Sequence, residues 1–262
     1  GLAEISDSAP LFYQLVSAQK RREILKSLAV FQALFDMIQK KIFGGKSLER
    51  KDVLISAEAL ARQRKFQERV REMYETRQAH PLACVETFGC QQNVADGQRI
   101  MGMLEAMGFG FTQEPREADL VILNTCAVRE HAEKRVFGNL GLLTHTKREN
   151  PEQVIALCGC MAQEERTAKR VKESYRHVDL VFGPQALWKF PELLWQVYET
   201  RKRVFSTADE HGGIAEGIPV VRERGVKAWV SIMYGCNNFC SYCIVPYVRG
   251  RERSREPSAV LA

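Results

Sequence analysis

The stretch that decides the fold is Leu82-Ala83-Cys84-Val85-Glu86-Thr87-Phe88-Gly89-Cys90-Gln91-Gln92-Asn93, a short apolar run that passes into a polar segment of helical length. The same alternation occurs four times in all, which predicts parallel strands joined by crossover helices. The expected strands are Leu82 to Phe88, Asp119 to Leu123, Val154 to Leu157 and Val178 to Phe182. The expected helices cover about 94 to 107, 128 to 145, 161 to 175 and 185 to 200. We therefore predict an α/β fold built on a doubly wound parallel sheet.

A cysteine follows each of the first three expected strands: Cys90, Cys126 and Cys160, at intervals of 36 and 34 residues. Because the carboxyl ends of parallel strands share one edge of the sheet, where ligands bind in such folds, these thiols are expected to form one site. The alternative is that loop cysteines fall at strand ends by chance. The turn after the first strand lacks the G-x-G-x-x-G pattern, so a dinucleotide is not the expected ligand. Cys84 and Cys158 are expected to pack in the core.

Three further cysteines, Cys236, Cys240 and Cys243, form a C-x3-C-x2-C cluster with no cysteine after them. An iron–sulfur cubane normally takes four cysteine ligands, so a loop that supplies three leaves one iron open to a small molecule. The paired arms typical of zinc sites are absent, and an odd number of cysteines fits a disulfide role poorly. The remaining alternative is a set of unligated buried cysteines. The cluster therefore indicates chemistry at an open metal corner.

The composition is that of a soluble globular chain. Of its 262 residues, 45% are hydrophobic and 27% are charged, and no apolar run is long enough to cross a bilayer. The first residues lack the pattern of a secretory signal, so we expect a cytoplasmic protein with no membrane partner. In a reducing cytosol, the eight cysteines favour metal ligands over disulfides. The net charge of +6 permits a polyanionic partner but is weak support by itself.

Residues 1 to about 80 are expected to be helical, because they are rich in charged residues and leucine and show no strand alternation. One apolar stripe runs along Ile24, Leu28, Phe31, Phe35, Ile38 and Ile42. A second helix is expected at about 53 to 77. No catalytic signal is visible in this part of the sequence.

Towards the other end, Val226 to Tyr234 is expected to form a strand that runs into the cysteine loop. Arg249, Arg251, Arg253 and Arg255 follow the loop at every second position. Alternate residues of an extended chain face the same side, so these guanidiniums are expected to form a positive ridge that grips phosphates. A solvated or salt-bridged ridge is the equally weighted alternative.

Several separated motifs carry a resemblance to a known family. They are Phe88-Gly89-Cys90-Gln91-Gln92-Asn93, Asn124-Thr125-Cys126-Ala127-Val128-Arg129-Glu130, Cys158-Gly159-Cys160-Met161-Ala162-Gln163, and the run from Tyr234 to Arg255. With them the chain resembles the radical S-adenosylmethionine methylthiotransferases, and within that family the tRNA-modifying MiaB-type members. The resemblance covers about 82 to 257 and departs at Gly97-Gln98, where relatives often have Ser and Glu.

The resemblance implies two [4Fe-4S] clusters as cofactors. Cys236, Cys240 and Cys243 would hold the first, whose open iron binds S-adenosylmethionine, with Tyr242 as a candidate contact to that cofactor or else a packing residue. Cys90, Cys126 and Cys160 would hold the second, which carries the sulfur that is methylated and inserted. In the family, these cofactors carry the difficult chemistry and the protein positions them.

The implied reaction is methylthiolation at C2 of N6-isopentenyladenosine at position 37 of tRNA, in the anticodon loop. The implied partners are tRNA and proteins that donate electrons and sulfur, with a monomeric enzyme. Two alternatives stay open. One keeps the chemistry and changes the target to threonylcarbamoyl-adenosine tRNA or a ribosomal protein, although Gln91-Gln92-Asn93 and Ala127-Val128-Arg129-Glu130 favour the isopentenyladenosine branch by resemblance. The other is a non-catalytic iron–sulfur or zinc module.

The resemblance also suggests a division into domains. We expect a helical N-terminal extension at 1–80, a methylthiotransferase α/β domain at 81–203, a linker at 204–224 and the start of a radical S-adenosylmethionine domain at 225–262. The last part would supply the first strand and cluster loop of an incomplete barrel, since the chain stops nineteen residues after Cys243 and a barrel needs about 200 residues. We expect the chain not to turn over alone.

Overall fold

The computed structural model describes residues 54–127, 130–207, 213–222 and 228–261, and of residues 130–132 it describes the backbone only. The strands of its main sheet are β1 (Leu82–Phe88), β2 (Gly110–Phe111), β3 (Leu120–Thr125), β4 (Val154–Gly159), β5 (Leu180–Phe182) and β6 (Val204–Ser206). In space they lie in the order β2-β1-β3-β4-β5-β6, and every neighbouring pair is parallel. The predicted α/β fold with a parallel sheet is confirmed.

Helices cover this sheet. They are α1 (Ala57–Thr76), α2 (Gln91–Ala106), α3 (Glu130–Glu149), α4 (Cys160–Gln163), α5 (Glu165–Ser174) and α6 (Phe190–Thr200), with a 3-10 turn at Pro184–Lys189. Across the described ranges, no helix combines the length and the apolar character that a membrane crossing requires.

Both faces of the sheet are buried, as a doubly wound arrangement requires. Leu120 and Ile122 of β3 belong to one core, together with residues of α1, α2 and α6. Val121 and Leu123 belong to the other core, under α3 and α5. Successive side chains of a strand point to opposite faces, so a strand covered on both sides must be apolar throughout. This explains why the central strands stand out in the sequence as uninterrupted apolar runs.

Helix α1 corresponds to the helix expected at about 53 to 77. It begins after Ser56, whose Oγ accepts a hydrogen bond from the backbone N–H of Ala59 at 3.1 Å, a regular N-cap. At its other end, the buried hydroxyl of Tyr74 lies 3.0 Å from that of Tyr198 on α6. The helix therefore packs on the α/β core, while the predicted division of the chain into domains stays a prediction.

Some expected boundaries differ from the structure. Strands β2 and β6 were not expected, because runs of two and three residues are too short to show a pattern. Strand β3 continues beyond Leu123, because polar Asn124 and Thr125 are buried and hydrogen-bonded. Strand β4 continues beyond Leu157, because Cys158 and Gly159 pair with these two residues. The helix expected at about 161 to 175 is divided at Glu164, whose backbone is extended. The apolar stripe from Ile24 to Ile42 lies outside the described residues.

The C-terminal segment adds a small antiparallel pair, β7 (Met233–Tyr234) and β8 (Arg253–Ser254), and two short helices, α7 (Val245–Val248) and α8 (Pro257–Leu261). The strand expected from Val226 to Tyr234 was wrong in extent, since within the described part, 228–234, only Met233–Tyr234 pairs. Trp229, Val230 and Ile232 are 41%, 47% and 50% exposed. They lack the burial on which a strand of this composition depends.

Candidate functional site

Strand register brings the first three predicted site cysteines to one edge of the sheet. β1, β3 and β4 are neighbours, and Phe88, Thr125 and Gly159 lie side by side at their carboxyl ends. Cys126 and Cys160 come directly after β3 and β4, and Cys90 follows Phe88 by two positions. Adjacent strands are only about 5 Å apart. Three thiols separated by more than thirty residues each are thereby collected in one place.

Cys90 has an acidic thiol. Its sulfur hydrogen-bonds Cys126, which, with smaller help from the backbone N–H groups of Asn93 and Gln92 and from Arg249, lowers the pKa of Cys90 to about 5 against the opposing effect of burial. Cys90 occupies the N-cap position of α2, where a helix terminus favours negative charge. Since the thiolate is the form that binds metals, Cys90 is prepared for ligation.

Cys160 has a different environment. It is 4% exposed, and burial raises the pKa of its thiol, although Arg249 partly offsets this effect. The Arg249 Nε donates a hydrogen bond to Cys160 Sγ at 3.0 Å, and its Nη2 donates to Asp96 Oδ2 at 2.8 Å. Burial alone would lower the pKa of this guanidinium, but Asp96 and then Cys160 raise it. The sulfur of Cys160 is thus held by a permanent cation.

A buried amide pair fixes the loops that carry the cysteines. Asn93 and Asn124 are fully buried, and Asn124 Nδ2 donates to the backbone oxygen of Asn93 at 2.7 Å. In return, Asn93 Nδ2 donates to Asn124 Oδ1 at 3.2 Å and to the backbone oxygen of Thr125 at 3.1 Å. These bonds tie the start of α2 to the end of β3. Cys90 and Cys126 are therefore positioned by a shared network.

Gly159 is required for close approach between β4 and β3. Its φ of +92° is in the left-handed region, and a Cβ there would lie 2.4 Å from the backbone oxygen of Thr125. This explains the Cys158-Gly159-Cys160 motif: the glycine lets the chain turn from β4 directly into α4.

Cys84 and Cys158 lie in the hydrophobic core, as predicted. Burial raises the pKa of Cys84 to about 11 and raises that of Cys158 well above its ordinary value. Neither thiol is prepared to bind a metal.

The C-x3-C-x2-C loop is built locally. The backbone N–H of Cys236 donates to Gly250 at 3.1 Å, and that of Cys243 donates to Cys240 at 2.9 Å. Cys240 is exposed, and the other two are half-buried. Tyr242 is 90% exposed, so the packing alternative for this residue was wrong and its contact with a cofactor stays a prediction.

The predicted arginine ridge was wrong. Arg249 is buried at the cysteine edge, whereas Arg251 lies over the ring of Phe239 at 4.3 Å. Arg253 donates to the backbone oxygen of Arg249 at 2.9 Å, and Arg255 pairs with Glu216 at 2.6 Å. Helix α7 and a turn at Gly250, whose φ is +75°, interrupt the extended conformation that a ridge requires.

Sequence reasoning missed Asp96 and the inward role of Arg249. Both lie within matched or predicted segments, but no spacing rule connects residues that are 153 positions apart. The sequence signal for Asp96 was its place in the helix expected at about 94 to 107, close to the turn that carries Cys90. Such a residue is more often solvated surface.

The donor set is suited to an iron–sulfur cluster. In the parts of the chain that the structure describes, no three His, Cys, Asp or Glu side chains are grouped closely enough for one metal ion. A cubane is larger than a single ion, so its ligands stand further apart. Soft thiolates are the usual ligands of such clusters. Cys90, Cys126 and Cys160, with one thiol already acidic and another beside a cation, fit that group better than a mononuclear zinc ion.

An open cleft of about 760 Å³ lies between α5 and the segment after the cysteine loop. Its wall includes Gln163, three residues after Cys160, and Ile244, the residue after Cys243. Glu133, Arg166 and Arg170 add charged groups. The volume is within the range of ligand sites in proteins.

The chain is similar in sequence to known proteins. Residues 83–183 match the family described as Uncharacterized protein family UPF0004. The chain is 48% identical over 217 residues to the tRNA-2-methylthio-N(6)-dimethylallyladenosine synthase of Acetivibrio thermocellus. The aligned region covers 81% of this chain and 45% of that protein. The synthase of the same name from Carboxydothermus hydrogenoformans is 54% identical over 175 residues, which are 67% of this chain and 40% of that protein.

A third relative, from Clostridioides difficile and with the same name, is 45% identical over 217 residues, covering 81% of this chain and 45% of its own length. The chain thus spans less than half the length of the curated relatives that it matches. The resemblance indicated by the motifs is confirmed: residues 83–183 match the UPF0004 family, and 67 to 81% of the chain is similar to tRNA-2-methylthio-N(6)-dimethylallyladenosine synthases.

Proposed function

We propose that this chain forms the cofactor-binding part of a tRNA methylthiotransferase that modifies C2 of N6-isopentenyladenosine at position 37. The observation that carries the proposal is the convergence of Cys90, Cys126 and Cys160 at the carboxyl edge of β1, β3 and β4. Three convergent thiols with no fourth cysteine are what a cluster with one open iron needs. The C-x3-C-x2-C loop supplies the same number a second time.

In this proposal Cys90, Cys126 and Cys160 hold one [4Fe-4S] cluster, and Cys236, Cys240 and Cys243 hold the other. When bound, the clusters supply one-electron chemistry on S-adenosylmethionine and a site for the sulfur that is transferred. The chain itself orients the ligands. Asn93 and Asn124 fix the loops through buried hydrogen bonds, and the exposed Tyr242 is free to contact the adenosylmethionine.

The cleft between α5 and the cysteine loop segment is the proposed path to the substrate base. It is open, and residues next to both cysteine sets line it. Its wall carries Arg166 and Arg170 but also Glu133, Glu164 and Glu165, so the proposed path is supported by its position beside both cysteine sets and not by its charge. A base next to an anticodon is in a single-stranded loop and can be turned out of its stack.

The names of the relatives favour isopentenylated adenosine over threonylcarbamoyl-adenosine or a ribosomal protein, because each names the dimethylallyladenosine product. With this activity we associate a cytoplasmic, monomeric enzyme that receives electrons and sulfur from donor proteins. The proposed domains are an extension at 1–80, an α/β domain at 81–203, a linker at 204–224 and, at 225–262, the start of a radical S-adenosylmethionine barrel.

Cluster content tests the proposal directly. The chain is reconstituted with iron and sulfide without oxygen, and about eight irons per chain are expected, since each cubane holds four. Cys126→Ala and Cys240→Ala should each remove the cluster of one site and leave the other, as followed by Mössbauer spectroscopy. Cys84→Ser, at a core cysteine, is the matched control and should keep both clusters. Binding of zinc without sulfide would reject the proposal in favour of a metal-binding module.

Activity is tested on isopentenylated tRNA with a longer protein that contains this chain together with the part that its relatives have in addition. Cys126→Ala in that protein is expected to abolish methylthiolation, which mass spectrometry of the digested tRNA detects. Normal methylthiolation by this variant would reject the assignment of a cluster to Cys90, Cys126 and Cys160.

A further inference from the structure

We propose that Arg249 is a positioning residue of the site formed by Cys90, Cys126 and Cys160, and that with Asp96 it sets the electron affinity of the cluster held there. This inference rests on the proposed function, because it requires a cluster at that site. It assigns a task to a residue that is not a ligand and that lies on a different segment from all three cysteines.

The geometry of Arg249 is specific. Its side chain is 9% exposed, and that of Asp96 is 5% exposed. The guanidinium divides its donors between two acceptors, with Nε on Cys160 Sγ at 3.0 Å and Nη2 on Asp96 Oδ2 at 2.8 Å. A planar fork can make both bonds at once, whereas the ammonium of lysine is a point charge on a flexible stem. The site therefore selects arginine by shape as well as by charge.

The surroundings keep this fork in place. The backbone oxygen of Arg249 accepts a hydrogen bond from Arg253 Nη2 at 2.9 Å. Asp96 also accepts from Gln92 Nε2 at 3.2 Å, and Gln92 in turn contacts Ser231 at 3.1 Å. Two segments of the C-terminal region thus meet the start of α2 beside the cysteines. Movement of the segment that follows the C-x3-C-x2-C loop would be transmitted to Cys160.

A buried ion pair is poor support for stability, because desolvation offsets much of the attraction. Its effect on a neighbouring redox centre is clearer. Hydrogen bonds to ligand sulfurs and the local net charge are among the main determinants of the potential of an iron–sulfur cluster. Reduction adds negative charge, so a cation that donates to Cys160 favours the reduced state. Asp96 opposes it by neutralising that cation.

The two partners should therefore act in opposite directions. Arg249→Gln removes the positive charge and should shift the midpoint potential of the cluster to a lower value. Asp96→Asn leaves an uncompensated guanidinium and should shift the potential to a higher value. A purely structural role would loosen the site in both variants and would not give shifts of opposite sign.

The measurement uses the reconstituted chain with Cys236, Cys240 and Cys243 all replaced by alanine, so that one cluster contributes. The midpoint potential is followed by electron paramagnetic resonance during a redox titration, and iron and sulfide are counted in each sample. Arg251→Gln, two residues further along and stacked on Phe239, is the matched control and should leave the potential unchanged. Equal potentials in all variants, or shifts of the same sign, would overturn the inference.

Two further measurements keep the test decisive if a variant loads poorly. Arg249→Lys keeps the charge and loses the fork, so its potential should lie between those of Arg249→Gln and the unsubstituted chain. In the metal-free chain, the rate of alkylation of Cys160 should change in Arg249→Gln and stay unchanged in Arg251→Gln, and equal rates in these two variants would contradict the contact. If the unsubstituted chain binds no cluster, the proposed function fails and the inference falls with it; if it binds one with insensitive potential, only the inference fails.

Discussion

The two cysteine sets reach the same number of thiols by opposite routes. Cys90, Cys126 and Cys160 come from three neighbouring strands and depend on their register. Cys236, Cys240 and Cys243 come from one loop of eight residues that is largely open to solvent. The first set is a property of the sheet, so its geometry can be lost without changing any cysteine. The second is a property of local sequence.

The difference is visible in what surrounds each set. At the sheet edge, the supporting amides are fully buried and an arginine is held between a sulfur and a carboxylate. Around the loop, Tyr242 and Cys240 are exposed, and Asn237 accepts a hydrogen bond from the backbone of Glu252 in an exposed position. Substitutions at the sheet edge should therefore change global stability, and substitutions in the loop should act locally.

Among substitutions at the two cysteine sets, the largest effect is expected for Gly159→Ala. The new Cβ would lie 2.4 Å from a backbone oxygen of Thr125 at a left-handed φ, so we expect a loss of about 3 kcal/mol or more in the free energy of unfolding. Denaturant titration of the metal-free chain measures it. Gly138→Ala on α3 is the control, because nothing lies within 4 Å of its Cβ position and alanine should be neutral or stabilising by up to about 1 kcal/mol. Similar stability of the two variants would show that β3 and β4 can separate enough at Gly159 to accommodate a Cβ.

The second prediction removes the amide network. Asn124→Ala deletes the donor to the backbone of Asn93 and the acceptor for its side chain, and we expect a loss of about 2 kcal/mol because buried polar groups lose their partners. The same titration measures it. Asn237→Ala in the loop removes one exposed hydrogen bond and should cost about 0.5 kcal/mol or less. An equal cost at both positions would remove the distinction between the two regions.

The sequence predicts the first site through strand spacing. Cys90, Cys126 and Cys160 recur at the interval of one strand–helix unit, and units of equal length bring equivalent positions to the same edge. Arg249 could not be placed this way, because its contacts with Cys160 and Asp96 are made across 89 and 153 residues. Its alternation with Arg251 instead suggested an extended strand. The turn that prevents this depends on Gly250 and on packing, which spacing does not show.

Strand ends were underestimated for a related reason. Asn124 is polar and would normally mark the end of a strand, yet it is fully buried. Its burial is possible only because Asn93, from another element, supplies partners. Propensity describes a residue alone, and here the environment that reverses it comes from residues 31 positions away.

Gly235→Ala repeats the glycine experiment in the loop region. Gly235 has a φ of +72°, and a Cβ would lie 2.1 Å from the backbone oxygen of Arg251. The strain is comparable to that at Gly159, but here β7 and β8 form a two-residue ladder that can open on its own. We expect faster hydrogen exchange at residues 233–254 with little change in the denaturant midpoint. A large shift of that midpoint would show that the loop is part of the global folding unit.

The smallest effect is expected for Tyr242→Ala. The side chain is 90% exposed, so its removal should change the free energy of unfolding by less than about 0.5 kcal/mol. Tyr198→Ala is the contrast, because this tyrosine is buried and hydrogen-bonded to Tyr74, and loss of a buried aromatic side chain costs about 3 to 5 kcal/mol. A cost above about 1 kcal/mol for Tyr242→Ala would mean that this tyrosine packs against protein and is not available to a cofactor. The loop would then share the character of the sheet edge, since both cysteine sets would be supported by buried side chains.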